Sequence, residues 1–167
     1  MRFSDQPASR VAVRIRALPD VARFSLRLEA TNVELSFASH SSSAGVAEVL
    51  DHPGADQGYA LVAGRQLGAV GSNVLVERAL AAAWNIHLGQ MLNIGGLGPQ
   101  RVVGFAEGPD DVGYPLAAPR VYLARSALDA RYGVGAVNRA STWPRSGCTI
   151  PPTSTRCWPR PARSATA

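Results

Sequence analysis

Residues 80–96, LAAAWNIHLGQMLNIGG, admit few folds. The stretch opens on small, strong helix formers. Gly89 ends the turn that follows Ile86 and Leu88. Leu92 and Ile94 then fall on one face of a short strand that stops at Gly95 and Gly96. Two glycines supply the φ freedom of a tight reversal, and QRVVGFAEG returns as a partner strand. The spacing therefore predicts a helix that feeds a β-hairpin. Such a unit buries its apolar side chains without a ligand and carries no catalytic group.

The chain around it alternates in the same way. Val11, Ile15 and Leu18 form a helical stripe, while Val11, Val13 and Ile15 also fit the period of a strand; Pro19 ends the segment in either case, and of the two we expect a short helix. Ala22, Phe24, Leu26 and Leu28 alternate with polar residues, as do Val33, Leu35 and Phe37. These read as two strands with a hairpin bend over residues 30–32. SHSSSAG reads as a surface loop. VAEVLDHPG fits a helical turn or a strand equally. GYALVAGR, NVLVE and RVYLA read as strands, and ERALAAAW as a helix. PDDVGYPLAAP, with three prolines, reads as an irregular loop. SALDARYG reads as a helix, with Ser126 and Asp129 as a capping pair and Gly133 as the stop.

Charge separates a body from a tail. The chain has 167 residues and a net charge of +5. All its basic side chains other than histidine are arginines. Residues 1–129 hold 11 arginines against 12 acids, whereas the remainder holds six arginines and no acid. A near-neutral body gives little reason to bind phosphates. From about Ala140 the sequence holds five of the twelve prolines, Trp143, Trp158 and both cysteines, Cys148 and Cys157. It has neither helical nor strand periodicity, so we expect disorder over 140–167. This tail reads as an out-of-frame translation, a reading that fails if neither other frame of the coding DNA gives a protein-like continuation. Two cysteines in such a tail define neither a disulfide framework nor a zinc site. No apolar run of about 18 residues spans a bilayer, and the N-terminus lacks a signal-peptide core. A chain with these features alone would remain in the cytoplasm.

Few residues offer chemistry. Gly95, Gly96 and Gly98 follow a strand, but a phosphate loop needs a helix next, and here Pro99 and a strand follow. His40, His52 and His87 are dispersed, without the i, i+4 pair of a helical zinc site. Asp110 and Asp111 lack a third ligand and read as a solvated loop. Ser41, Ser42 and Ser43 sit beside His40 without a nucleophile elbow. We therefore expect no catalytic residue, no cofactor and no metal.

The order LVAGRQLG, NVLVERALAAAWNIHLGQMLNIGG, QRVVGFAEG and VGYPLAAPRVYL resembles the extracytoplasmic domain of FtsX-like ABC transporter permeases, the MacB-type periplasmic core. The matching positions are Gly64-Arg65, Val74 to Glu77, Leu88-Gly89, Leu92, Ile94, Gly96 and Val102 to Gly104. Gln90 replaces the acid usual after the family's Leu-Gly. The resemblance covers roughly residues 10–139.

That resemblance implies a mechanical part, not an enzyme. In the family, an ATP-binding subunit in the cytoplasm drives transmembrane helices, which move this domain on the outer face of the plasma membrane against cargo or a partner. A transmembrane helix before residue 1 and three after residue 139 are expected and absent, so the chain reads as a truncated permease that does not transport alone. We expect an α+β fold: a small mixed or antiparallel sheet or half-barrel with two or three short helices over 1–139, either one domain or two lobes divided at 63/64. Tyr114, Pro115 and Arg120, on or beside the proline loop, are the expected partner contacts. No nucleic acid is expected. Two rivals stand beside this reading. One is a small soluble hydrolase using His40 and the three serines. The other is an arginine-tail nucleic-acid binder, whose salt-sensitive binding would vanish on deletion of 140–167.

Overall fold

The computed structural model describes residues 8–21, 24, 27–51, 53–54, 58–69, 71–108 and 112–132. The tail with its cysteines and tryptophans, His52, and the pair Asp110 and Asp111 lie outside the described residues.

The chain enters through helix α1 (Ala8–Arg16) and strands β1 (Arg27–Phe37), β2 (His40–Leu50), β3 (Ala60–Gly64) and β4 (Asn73–Glu77). Helix α2 (Arg78–Trp84), strands β5 (Met91–Ile94), β6 (Gly98–Glu107) and β7 (Arg120–Ala124), and helix α3 (Arg125–Tyr132) follow. The seven strands form one mixed sheet in the order β3-β6-β4-β7-β2-β1-β5. A further pairing of β5 with β6 closes six of them into a ring, a partial barrel. One edge of β6 runs along β4. Its other edge takes β5 at residues 98–101 and β3 at 104–107. The seam between β1 and β5 is short, with Leu35 opposite Ile94 and Ser36 opposite Asn93. The expected α+β fold with a half-barrel sheet is the fold observed.

Three local readings are corrected. The two strands expected at 22–29 and 32–37 are, over the described residues, one strand, β1. The apolar phase does change, from even positions through Ala30 to odd ones from Val33. A bulge absorbs that change, marked by a register shift between Ala30 and Val33 and by Asn32 at φ 58°. One extra residue flips the pleat as a hairpin would, without reversing the chain. The reversal falls instead at 38–39. Second, SHSSSAG is no loop: it begins β2 and pairs with β1 as far as His40 opposite Phe37. Its serines mark a strand arm that extends past the core, and VAEVL continues it as strand. Third, Ser126 does not cap α3, which starts at Arg125 directly from β7. The Ser126 Oγ and Asp129 Oδ1 atoms have no hydrogen-bond partner among the described residues.

The expected helix-hairpin unit forms. Asn85, in the left-handed conformation at φ 53°, closes α2; its own N–H donates to the Ala82 carbonyl and the Ile86 N–H to the Ala81 carbonyl. Gly96 and Gly98 turn the hairpin at φ 82° and 79°, angles that cost a larger side chain.

Two apolar clusters hold the sheet. Every ring strand feeds the first, through residues such as Val33, Val49, Val76, Ile94, Val102 and Leu123, with Leu80 and Trp84 from α2 and Leu128 from α3. The second lies on the opposite face and includes Leu50, Leu75, Val103 and Tyr122, beneath Tyr59 and Leu61. Along β7 the alternation is plain: Val121 and Leu123 enter the first cluster, Tyr122 the second. Tyr59 and Tyr122 lie with ring centroids 4.8 Å apart.

Burial pushes both phenols above the ordinary tyrosine value of 10.0, and their mutual proximity raises Tyr59 further. At Tyr122, Arg120 opposes the effect of burial, while Glu48 and Glu77 add to it. The unfolded chain therefore releases these protons first. Their contribution is intact below pH 10.0 and is lost as pH rises through the higher folded values. We expect the thermal midpoint to fall above that pH, and Tyr122→Phe to flatten the fall. Unfolding scans between pH 8 and 11.5 check this, with tyrosinate absorbance as the companion readout.

Candidate functional site

The proline loop is the most exposed apolar feature among the described residues. Leu116 is 87% exposed and Val112 50% exposed. Backbone N–H groups of Leu116 and Ala117 both donate to the Gly113 carbonyl at 3.1 Å, which folds the loop into a tight turn. The Tyr114–Pro115 peptide is cis.

Tyr114 anchors this turn. The Trp84 Nε1–H donates to Tyr114 Oη at 3.2 Å, and the two rings meet edge to face with centroids 6.1 Å apart. His40 stacks on the same indole at 5.6 Å and 13°. Gly113 comes so close to Glu77 and Ala79 that an added methyl would lie 3.0 Å from each side chain. The loop thus rests on α2, and Trp84 joins it to the tip of the β1–β2 hairpin. Trp84 itself is 3% exposed and belongs to the first cluster. Its place at the end of an alanine-rich helix is visible in the sequence, but the aromatic it would meet is not.

Arg120 lies elsewhere. It shares a face of β7 with Tyr122. A methyl at Gly108 would sit 3.1 Å from Arg120 Nη1 and 2.9 Å from Tyr122 Oη. Glu48, 1% exposed, also lies on this face, within 3.4 Å of Arg27 Nε. Tyr114 and Arg120 therefore face different neighbours, Trp84 on one side and Tyr122 on the other. Pro115 is exposed at the loop tip beside Leu116. Sequence reasoning missed Glu48, which occupies an outward position in VAEVL. What buries it is the covering of the outer face by the second cluster, a tertiary event.

The hydrolase residues are drawn into other contacts. His40 is stacked on Trp84, and Ser42 Oγ accepts the Ala44 N–H at 3.2 Å. Successive strand residues point to opposite faces, so the three serines do not converge. Among the described residues, no three metal-ligating side chains come together, and no helix is long and apolar enough to cross a membrane.

The Trp84–Tyr114 bond makes a direct expectation. Tyr114→Phe leaves the indole N–H without its acceptor and costs about 1 kcal/mol. A urea titration of the two proteins measures it, and an unchanged midpoint would mean the bond contributes nothing net.

A partly closed mixed sheet with helices at its flank is the fold shared with the periplasmic and extracellular domains of the ABC-type transporters MacB and YknZ. The periplasmic region of MacB from Actinobacillus actinomycetemcomitans superposes with a TM-score of 0.57 and 14% identity over 80% of this chain. This chain spans 62% of that region's length. The extracellular domain of the noncanonic ABC-type transporter YknZ from Gram-positive bacteria matches with a TM-score of 0.57 and 10% identity, covering 80% of this chain and 70% of that one. No protein-family profile matches the sequence, and no curated protein does.

Proposed function

We propose that this chain is the extracytoplasmic domain of an ABC-type permease and carries ATP-driven movement from membrane segments to cargo or to a partner protein. The observation that carries the reading is the fold shared with the MacB and YknZ domains over 80% of the chain. A lever must move as one piece. A ring of strands packed on a continuous apolar cluster resists deformation, because close-packed interiors have low compressibility. The ATP-binding subunit acts in the cytoplasm, and this domain works on the far side of the plasma membrane. The partner-facing surface is the loop over 112–119, with Tyr114 holding Pro115 and Leu116 outward. Arg120 follows at the root of that loop, on the opposite face of the sheet.

The coding locus tests the reading. Membrane-spanning segments beside the domain, upstream and in a shifted frame downstream, together with a neighbouring gene for an ATP-binding subunit, are the expected result. A locus with neither would overturn it. In a permease carrying this domain, Leu116→Asp is expected to reduce transport while leaving ATP hydrolysis in place, and normal transport would remove the loop from the proposed surface.

A further inference from the structure

Helix α1 is built differently from the rest of the chain. Val11 is 5% exposed, yet it belongs to neither apolar cluster. Arg10, Val13, Arg14 and Ala17 recur at i, i+3, i+4 and i+7 and are all exposed. They form one outward stripe. Val13 is 64% exposed, and Leu18 and Val21, just beyond the helix, are 51% and 39% exposed. Arg16 is exposed too, with its guanidinium 5.4 Å from the Phe24 ring.

The charge on the helical part of this surface has one sign; Asp20, exposed in the turn after it, is the acid beside Leu18 and Val21. The helix holds Arg10, Arg14 and Arg16 and no acid. Arg14 and Arg16 lie in the last turn, where a cation complements the helix dipole. Arg10 lies in the first turn, where the dipole disfavours a cation, so helix stability alone does not account for it. Arg10 and Arg14 have no ion-pair partner among the described residues.

We infer that α1 and the turn after it form a docking surface for an anionic lipid bilayer. Arginines alone would suit any polyanion. The interleaved Val13, Leu18 and Val21 select a surface that offers phosphates above hydrocarbon, the boundary at which basic amphipathic helices lie. Among the described residues, the stripe offers no exposed aromatic on which a nucleic-acid base could stack. Val11 is buried and Ala12 and Ile15 are half-buried, on the side of α1 away from the stripe.

The test uses the full chain and vesicle co-sedimentation at low and physiological salt. Vesicles of phosphatidylglycerol with phosphatidylcholine are compared with phosphatidylcholine alone. Binding is expected on the anionic vesicles only. The pair Arg10→Gln and Arg14→Gln is expected to weaken it roughly 30-fold, and Val13→Ser to weaken it further. These positions are exposed, so an unchanged urea midpoint certifies folding. The C-terminal arginines are controlled by Arg145→Gln, Arg156→Gln, Arg160→Gln and Arg163→Gln together. Binding lost with that set but kept in the α1 variants overturns the inference. So does an absence of binding, or an affinity for a DNA duplex that falls in step with the vesicle affinity.

Discussion

Gly45→Val lowers the stability of the domain by about 3 kcal/mol, the upper range for overpacking a core. Gly45 lies in β2 opposite Val33, between the two register shifts that kink β1. A Cβ there would stand 2.5 Å from the Val33 carbonyl oxygen and within 2.9 Å of two Leu35 side-chain carbons. Neither neighbour can yield. The oxygen belongs to the backbone of a paired strand, and Leu35 is fully buried in the first cluster. A small domain has about 5–15 kcal/mol in total, so the loss is a large share of it. A urea titration reads it as a lower midpoint. Gly54→Ala is the control, because an added methyl there meets nothing within 4 Å. Equal midpoints for the two variants would mean that β1 and β2 are not closely packed at Gly45.

Ile94→Ala is expected to cost about 4 kcal/mol, through lost burial and the cavity left behind. Its effect reaches further than one contact. Ile94 pairs with Gly98 on one side and Leu35 on the other, so it sits where β5 joins β6 to β1. Only two residue pairs span the β1–β5 seam. Side-chain packing must therefore hold the ring closed where the ladder is short. Truncating Ile94 should raise amide exchange at residues 34–36 and 93–95 before it does so in β4 and β7. Uniform exchange across the sheet would indicate that the ring opens as a whole. Leu116→Ala, at an 87% exposed position, should change stability by no more than about 0.5 kcal/mol.

Most of the elements are legible in the amino-acid pattern alone. NVLVE, QMLNI, QRVVGFAEG and RVYLA have the composition and period of strands, and each is one. The glycines after Ile94 mark a reversal, and the residues of the turn adopt the required angles. Legibility fails where two structures share one pattern. The phase change after Ala30 suits a hairpin and a bulge equally, because both move the apolar side chains to the other parity. SHSSSAG misleads because composition reports exposure, and an exposed strand arm is as polar as a loop.

The candidate surface is legible by halves. Three prolines in PDDVGYPLAAP announce an irregular, exposed segment. The anchoring of Tyr114 by Trp84 is hidden, since the two are thirty positions apart and only the packing of the loop on α2 brings them together. The same holds for Arg120, which proximity in sequence assigns to a surface that it shares only in part. One step along a strand turns a side chain to the opposite face.

Local pattern in the chain fixes most of the elements, and the apolar side of most strands, through period and turn chemistry; β1 and β2, where pattern and composition misled, are the exceptions. Local pattern also marked the residues from about 140 onward as unlike the body. Three-dimensional packing is what closes six strands into a ring, buries Glu48 and leaves the α1 arginines facing outward. Those outcomes depend on which strand lies beside which. Neighbours far apart in the chain are selected by the summed packing of the whole sheet, and no short window of residues contains that sum.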